Sequence, residues 1–166
     1  MLGALALGAS ACGGGPATSS TVEAQGVTVT YPTGWYATMQ ALTPVTSPRQ
    51  VLAVASYPLP SDSSGADGCQ PKEALNRLPP TGAFIFGWEY GGLALPGLRA
   101  RDYPQRPKRF ALTGFAHYEC QGPSYMIRFR DGGRLFQIHV AFGPLATALT
   151  RHTVLRILDS LGVASR

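Results

Sequence analysis

The stretch Ser124–Phe142, SYMIRFRDGGRLFQIHVAF, predicts two antiparallel strands joined by a tight turn. Apolar and polar residues alternate on both sides of Asp131–Gly133, whose residue types supply the positive φ angles of a hairpin turn. Because directly opposed residues share a face, the odd-numbered apolar residues of the first strand must oppose the even-numbered ones of the second. Loops of two or four residues meet this condition and pair Ile127 with Phe136 or with Ile138. A simple three-residue loop would split the core.

The segments on both sides of this hairpin predict more strands and two helices. Further strands are expected at Gly26–Tyr31, Trp35–Met39, Val51–Tyr57 and Ala83–Tyr90, one or two more within Arg109–Cys120, and helices at Pro71–Leu78 and Ala146–Leu161. In the second helix, apolar residues recur at helical spacing, so one of its faces packs on the sheet. The predicted fold class is α+β, an antiparallel sheet packed by helices, in a single domain over residues 26–166.

The composition agrees with this fold class. The chain of 166 residues contains 20 glycines and 14 prolines, and only 14% of its residues are charged. Such abundant turn-forming residues favour a turn-rich β or α+β domain over a helical bundle.

The N-terminal segment predicts export. Leu2–Ala11 (LGALALGASA) is an uncharged run of small and apolar residues that ends directly before Cys12. It is too short to span a bilayer and resembles the end of a bacterial lipoprotein signal. The resemblance implies that residues 1–11 are a signal segment, that Cys12 carries an acyl lipid, and that the protein is extracytoplasmic, anchored to the outer face of the cell membrane. Residues 12–25 are then a flexible tether. The alternatives are an ordinary secretory signal and a disordered Ala/Gly-rich terminus with a free cysteine.

Two cysteines remain after Cys12. Outside the cytoplasm an even pair is more often bridged than free, so we expect a structural disulfide between Cys69 and Cys120. In the chain-entropy model, closing a loop of about fifty residues stabilises the fold by roughly 4 kcal/mol. The pair lacks the close spacing of a zinc site, and the chain contains no Cys-x-x-Cys redox motif.

Most of the net charge of +5 lies in one short segment. Five basic residues, opposed only by Asp102, fall within eleven positions: Arg99, Arg101, Arg106, Lys108 and Arg109. This basic segment could contact anionic lipid headgroups, cell-wall polymers or an acidic protein. A nucleic acid partner is not expected for an exported chain, and the alternative is a solvated loop. Arg128 and Arg130, with Arg134 at the adjoining turn, could extend the basic surface or form the wet side of a half-covered sheet.

Three passages resemble known proteins. Val27–Trp35 (VTVTYPTGW) is similar to the opening strand and turn of PsbP-like proteins. Tyr103–Phe110, with Glu119–Gly122, is similar to small secreted lipoproteins of actinobacteria. So is Phe129–Gly143, with Ile157–Leu161 after it. The resemblance implies a PsbP-like α/β/α sandwich and no catalytic residues. The photosystem binding of the plant members does not follow from a shared fold.

The chain contains no familiar catalytic or cofactor motif: no Gly-x-Ser-x-Gly elbow, no P-loop and no dinucleotide fingerprint. We expect no cofactor and no metal. His117 and Glu119 share a face of a predicted strand and are the best acid–base candidates, with His139 on the same sheet. An aromatic groove is a second candidate site, although core packing explains the same residues: Trp35, Phe84, Phe86, Trp88 and Tyr90.

Three functional hypotheses follow from the sequence. The first is a non-enzymatic, lipid-anchored binding or accessory module of the bacterial cell envelope, with the basic segment as its contact surface. The second is a carrier of a small molecule or lipid, in a pocket between sheet and helix. The third is an enzyme that works through His117 and Glu119.

Overall fold

The computed structural model of the protein describes residues 18–61, 68–91, 100–119 and 121–165. These residues form nine strands and two α-helices, with a single 3-10 turn at Ala100–Asp102. The strands are β1 (Ser19–Ala24), β2 (Val27–Pro32), β3 (Tyr36–Thr38), β4 (Arg49–Ala55), β5 (Ala83–Tyr90), β6 (Phe115–Tyr118), β7 (Gly122–Asp131), β8 (Arg134–Phe142) and β9 (Gly162–Val163). The helices are α1 (Lys72–Asn76) and α2 (Ala148–Asp159).

The strands form two antiparallel sheets. The large sheet has six strands in the order β3-β4-β5-β8-β7-β6, and the small sheet has three in the order β1-β2-β9. The sequence-based prediction of an α+β fold built on an antiparallel sheet is confirmed. Within the described ranges the helices are few and short, so these residues form mainly sheet.

The β7–β8 hairpin has one of the two registers predicted from the sequence. Ile127 lies opposite Ile138, and the turn consists of two residues, Gly132 and Gly133, between the paired Asp131 and Arg134. Both glycines have positive φ, at 54° and 74°. Such a turn matches the twist of the strands that it joins, which is why the register is unambiguous.

The first face of the large sheet is covered by α2 and by the small sheet. Buried residues of β4, β5, β7 and β8 pack there against the apolar stripe of α2, formed by Val154, Ile157 and Leu158, and against Val27 and Val29 of β2. Thr147 caps α2 by accepting a hydrogen bond from the backbone N–H of Thr150. The predicted packing of this helix on the sheet is therefore correct.

The second face of the large sheet is covered by α1 and by loops. Phe84, Phe86 and Trp88 of β5 are buried there together with Leu42 and Ala74. The Tyr57 hydroxyl donates to the carbonyl of Ala74 at 2.6 Å and thereby ties α1 to the end of β4. Beyond this cluster, toward β7 and β6, the second face is less fully covered.

A buried ion-pair cluster joins the two sheets. Arg134 donates to the Glu89 carboxylate from Nε at 2.9 Å and from Nη2 at 2.7 Å, and both side chains are 2% exposed. Arg49 donates to the same carboxylate at 2.8 and 2.5 Å. Arg134 also binds the carbonyls of Gln25 and Gly26 in the β1–β2 turn, each at 3.1 Å. The expectation of a wet, basic Arg134 is therefore wrong, because its strand parity with Phe136 directs it to the covered face.

One segment differs from the sequence-based prediction. The predicted tether of residues 12–25 is wrong over Ser19–Ala24, which form β1 and pair along their whole length with β2. Thr21 and Val22 suit a half-exposed strand despite the low hydrophobicity of the segment, and Thr21 bonds to Thr30 of β2 at 2.9 Å. The prediction of one or two strands within Arg109–Cys120 is met among the described residues by one strand, β6.

Candidate ligand cleft

An open cleft of about 250 Å³ lies on the second face of the large sheet. Strands β5, β8 and β7 form its floor, and the 45–48 loop and the turn before α1 form part of its wall. Its lining residues are Val45, Pro48, Cys69, Trp88, Tyr90, Tyr118, Glu119, Met126, Arg128, Gln137 and His139. The cleft thus combines aromatic rings, one guanidinium, one carboxylate and two neutral polar groups, a mixture typical of sites for small ligands.

The pairing of the strands brings the floor of the cleft together. Trp88 lies opposite Gln137, which lies opposite Arg128, so these three residues form one row across β5, β8 and β7. His139 and Met126 form part of the next row. Because side chains alternate between the faces of a strand, residues two positions apart share a face, and these two rows point to the same side of the sheet.

A chain of hydrogen bonds runs through this floor. Arg128 Nε donates to Gln137 Oε1 at 3.1 Å, and the amide nitrogen of Gln137 lies 2.8 Å from His139 Nε2. On its other side, His139 Nδ1 lies 3.1 Å from the hydroxyl of Ser124, which donates to the carbonyl of Gly122 at 3.4 Å. Each group therefore has a fixed donor or acceptor role.

The chain of hydrogen bonds determines the state of His139. An amide nitrogen can only donate, so His139 Nε2 accepts and the ring proton lies on Nδ1, directed to Ser124. Burial, together with the nearby charge of Arg128, lowers the pKa of His139 to about 4. His139 is therefore neutral at physiological pH. Ser124, which is 1% exposed and accepts the imidazole proton, is not placed as a nucleophile activated by this histidine.

Aromatic contacts hold the walls of the cleft in place. The rings of Phe86 and Trp88 meet edge to face with centroids 4.9 Å apart, and Tyr118 meets the His139 ring in the same way at 5.2 Å. The guanidinium of Arg128 lies 5.9 Å from the ring of Tyr103. These contacts restrict the rotamers of the lining residues, so the cleft is largely formed before any ligand enters.

The predicted acid–base pair is not assembled. His117 is exposed on β6 and shares strand parity with Phe115, which opposes Tyr125 on the first face of the sheet. Tyr118 and His139 lie on the second face, so His117 and His139 point to opposite sides. Glu119 lines the cleft without His117. In the described part of the chain, no three His, Cys, Asp or Glu residues are grouped as metal ligands.

The structure divides the predicted basic segment. Arg106 bonds to the Asp131 carboxylate at 3.3 Å and to the carbonyl of Asp159 at 3.4 Å, so it helps to hold the fold together. Arg101, Lys108 and Arg109 are exposed, and Arg99 lies outside the described residues. Tyr103 within the segment and Phe110 directly after it are buried, and the backbone of the segment bonds to Arg130 of β7. The segment is therefore packed along β7 and is not a simple solvated loop.

The predicted aromatic groove is correct only in part. Trp88 and Tyr90 line the cleft, whereas Phe84 and Phe86 are buried beside it. Trp35 lies at a different cleft, near the start of α2. The sequence analysis missed Met126 and Gln137 as lining residues, although both have the strand parity of His139 and could have been found from it.

The cysteines predicted to carry a lipid or to form a disulfide lie partly outside the described residues. Cys12 and Cys120 lie outside them, as does the signal segment of residues 1–11. Gln121, the neighbour of Cys120, approaches Cys69 through an Nε2 to carbonyl contact of 3.4 Å. The Cys69–Cys120 disulfide stays a prediction, and this contact is compatible with it.

Comparisons with protein-family models, curated proteins and solved structures find no match to this chain. None of the helices in the described ranges is long and apolar enough to cross a membrane.

Proposed function

We propose that this chain is a lipid-anchored binding protein of the bacterial cell envelope that holds a small ligand in the cleft on the second face of its large sheet. The observation that carries this proposal is the row Trp88–Gln137–Arg128, which combines an aromatic ring, a polar amide and a cation in one rigid concave surface. The proposal joins the binding-module and carrier hypotheses. It differs from the second of them in one respect, because the cleft lies under loops and not between a sheet and α2.

The chemistry of the lining favours a small, flat, anionic ligand. Within the described residues, Arg128 engages only its Nε in a hydrogen bond, so its two terminal nitrogens are available to a carboxylate. Tyr90 and Tyr118 are half-buried and offer ring surfaces for stacking, while the buried Trp88 forms part of the floor beside them. A volume of about 250 Å³ lies just below the range of about 300–1,000 Å³ of drug-sized sites, which suits a single ring bearing a carboxylate.

The neutral state of His139 supports binding over catalysis in this cleft. Both ring nitrogens are already occupied, by Gln137 and Ser124, so the imidazole serves to hold the floor rigid. A general base must be within hydrogen-bond reach of the proton that it removes and free to accept it. Because both of its ring nitrogens are engaged, His139 is not free to accept a proton, and we propose no reaction for this site.

The extracytoplasmic location is part of the proposal. It rests on the run of small and apolar residues before Cys12, whose pattern implies a signal segment and an acyl lipid on that cysteine. We also propose that the domain is a PsbP-like α/β/α sandwich. The large sheet, with α2 on one face and α1 on the other, supports this assignment.

Ligand binding is tested by titrating the protein with benzoate while recording the fluorescence of Trp88. The Trp35→Phe variant leaves Trp88 as the single tryptophan in the chain. We expect saturable quenching, and in the Arg128→Gln background an affinity about 10- to 100-fold lower, because a charge-assisted hydrogen bond is lost.

The Arg130→Gln variant is the matched control. Arg130 is exposed on the same strand and the same face, two residues further along, and it does not line the cleft. An equal loss of benzoate affinity in both variants would show that the ligand responds to the general positive charge and not to a specific contact with Arg128. If benzoate does not bind and native mass spectrometry of the protein from its source finds no copurified small molecule, the proposed function is wrong.

A further inference from the structure

A second surface of the molecule carries exposed apolar side chains. Leu145 and Leu149, at the start of α2, are 66% and 74% exposed. Leu149 and the half-buried Trp35 line a common cleft of about 270 Å³, and the backbone N–H of Leu145 donates to the carbonyl of Pro80 beside it. We call Trp35, Leu145 and Leu149 the apolar patch. Isolated exposed leucines are ordinary on protein surfaces, but a Trp and two Leu side chains on one side of the molecule are not.

The described chain begins next to this patch. The Thr18 carbonyl accepts a hydrogen bond from the backbone N–H of Thr33 at 3.0 Å, two residues before Trp35. Thr18 also lines a cleft with Thr153 of α2, and Thr153 lines the cleft of Trp35 and Leu149 as well. The point where the chain enters the domain and the apolar patch are therefore on the same side.

One face of α2 connects these features. Leu149, Thr153 and Arg156 follow one another at spacings of four and three residues, which places them on a single stripe of the helix. Arg156 lines the cleft with Thr18. The stripe thus presents an apolar end, a hydroxyl and a cation, beside the indole of Trp35. Trp and Leu with adjacent Arg is the composition of surfaces that lie in the headgroup region of a bilayer.

We infer that this side of the domain, with the apolar patch and Arg156, rests on the lipid surface to which Cys12 is anchored. Six positions separate Cys12 from Thr18, and a chain of that length spans at most about 20 Å. An anchor so near Thr18 would hold the apolar patch within reach of the headgroups. The occupant of the patch is therefore a phospholipid bilayer. The tether argument rests on the proposed anchoring, whereas the exposure of the patch does not.

The inference is tested on the chain from residue 12 with Cys12→Ser, so that no acyl lipid contributes. Its probe is vesicles of equal parts phosphatidylcholine and phosphatidylglycerol, some with brominated acyl chains. We expect cosedimentation with the vesicles and quenching of Trp35 fluorescence by the bromolipid. Quenching should disappear in Trp35→Phe, because Trp88 is only 3% exposed and remains inside the domain. The double variant Leu145→Ser/Leu149→Ser should bind about tenfold more weakly or worse.

Two controls separate this surface from other routes to the membrane. Phe115 is 62% exposed on the opposite edge strand of the large sheet, so Phe115→Ser removes a similar apolar side chain elsewhere and should bind like the parent. Arg101→Gln/Lys108→Gln/Arg109→Gln neutralises the three exposed residues of the basic segment and should also leave the quenching unchanged. The inference is overturned if the Leu145/Leu149 variant binds as the parent does, or if only the basic-segment variant loses binding.

The test distinguishes the surface from the anchor. Vesicle binding through Leu145 and Leu149, in a protein whose Cys12 proves unmodified in cells, would disprove the anchoring and support the surface. Lipid on Cys12 with no effect of the leucine substitutions would support the anchoring and disprove the surface.

Discussion

His139 makes the stability of the domain depend on pH. The pKa of His139 is lowered from 6.5 to about 4 in the folded chain, mainly by burial and further by Arg128, so the unfolded chain binds a proton first as the pH falls. The contribution of neutral His139 to the free energy of unfolding is complete above about pH 6.5 and is lost progressively as the pH falls to about 4. A difference of this size is worth about 3 kcal/mol.

We expect this loss to be absent from a variant that cannot titrate at position 139. His139→Gln retains an amide that can bond to Ser124 and Gln137, so the fold should be kept. Because glutamine does not titrate, the free energy of unfolding of this variant should change much less than the parent's across this interval. Urea unfolding at a series of pH values measures the difference between the two curves. Parallel curves would show that His139 does not titrate as described.

Glu89 acts in a lower pH window. Burial raises the pKa of Glu89, but the hydrogen bonds from Arg134 and Arg49 outweigh burial and hold it below its ordinary value of 4.5. The stability that it contributes is complete above 4.5 and is lost as the pH falls through the lowered value. The loss of stability at low pH thus has two separable causes: protonation of His139 on the second face of the large sheet and protonation of Glu89 on the first face.

At the residue scale, the parity of a residue along its strand predicts which face of the sheet its side chain occupies. Its chemical type is a poorer guide. From its place at the hairpin turn, Arg134 is expected either to extend a basic surface or to lie on the wet side of a half-covered sheet. Its partner Glu89 is 45 positions away in sequence, so no local pattern predicts the Arg134–Glu89 ion pair. Gly162 also depends on a partner distant in sequence. It lies in β9 opposite Thr28 of β2, where a Cβ would approach the Thr28 hydroxyl to 2.3 Å.

At the scale of elements, the turn of the β7–β8 hairpin requires a residue that tolerates positive φ. Gly133 has a φ of 74° and nothing near the position of a Cβ, so a substitution there meets backbone strain without steric conflict. Gly133→Ala should lower the free energy of unfolding by about 1 kcal/mol, and Gly133→Asn by clearly less, because Asn tolerates positive φ.

Gly91→Ala is the control for this prediction. No atom of the described residues lies near the position of a Cβ at Gly91 either, but its φ is not positive, so alanine should be neutral or slightly stabilising there. Urea unfolding of the three variants gives the comparison. Equal stabilities for Gly133→Ala and Gly133→Asn would contradict the assigned turn.

The elements themselves could be predicted where side-chain periodicity is strong. The bounds of β5 agree with the prediction, because its aromatic-rich apolar run indicates a buried strand. Alternation narrows the register of β7 with β8 to two possibilities, and the turn at Gly132 and Gly133 selects one of them. β1 could not be predicted in the same way, because Ser19–Ala24 resembles a linker in composition and becomes a strand only when β2 pairs with it. Tertiary pairing overrides local composition in such segments.

At the scale of the whole molecule, the fold class follows from the sequence but the cleft does not. Val45, Pro48 and Cys69 reach the wall of the cleft from loops distant in sequence from β8. Their approach depends on how loops pack over the second face, and no periodic pattern encodes that packing. The sequence therefore supports a prediction of the floor of the site, through strand parity, and none of its walls.

The proposed anchoring is a property of the whole protein in its native membrane. We expect the intact mass of the mature chain to include a diacylglycerol attached at Cys12, since the preceding small residues admit a signal peptidase. The addition should be absent from a Cys12→Ala variant expressed in the same host. An unmodified mass with ordinary cleavage would contradict the lipid anchor and make this a freely secreted domain.

The order of the strands divides the molecule into two consecutive pieces. β3, β4 and β5 are neighbours in the large sheet and in sequence, and so are β6, β7 and β8. Within the large sheet the two groups meet where β5 and β8 pair over eight positions, from Ala83–Phe142 to Tyr90–Leu135, and β2 also pairs with β9 in the small sheet. A gene divided between the codons for Gly91 and Ala100 would encode halves that each hold one group, with the β5–β8 and β2–β9 pairings in their interface. The domain thus has a ready-made plan for a split reporter.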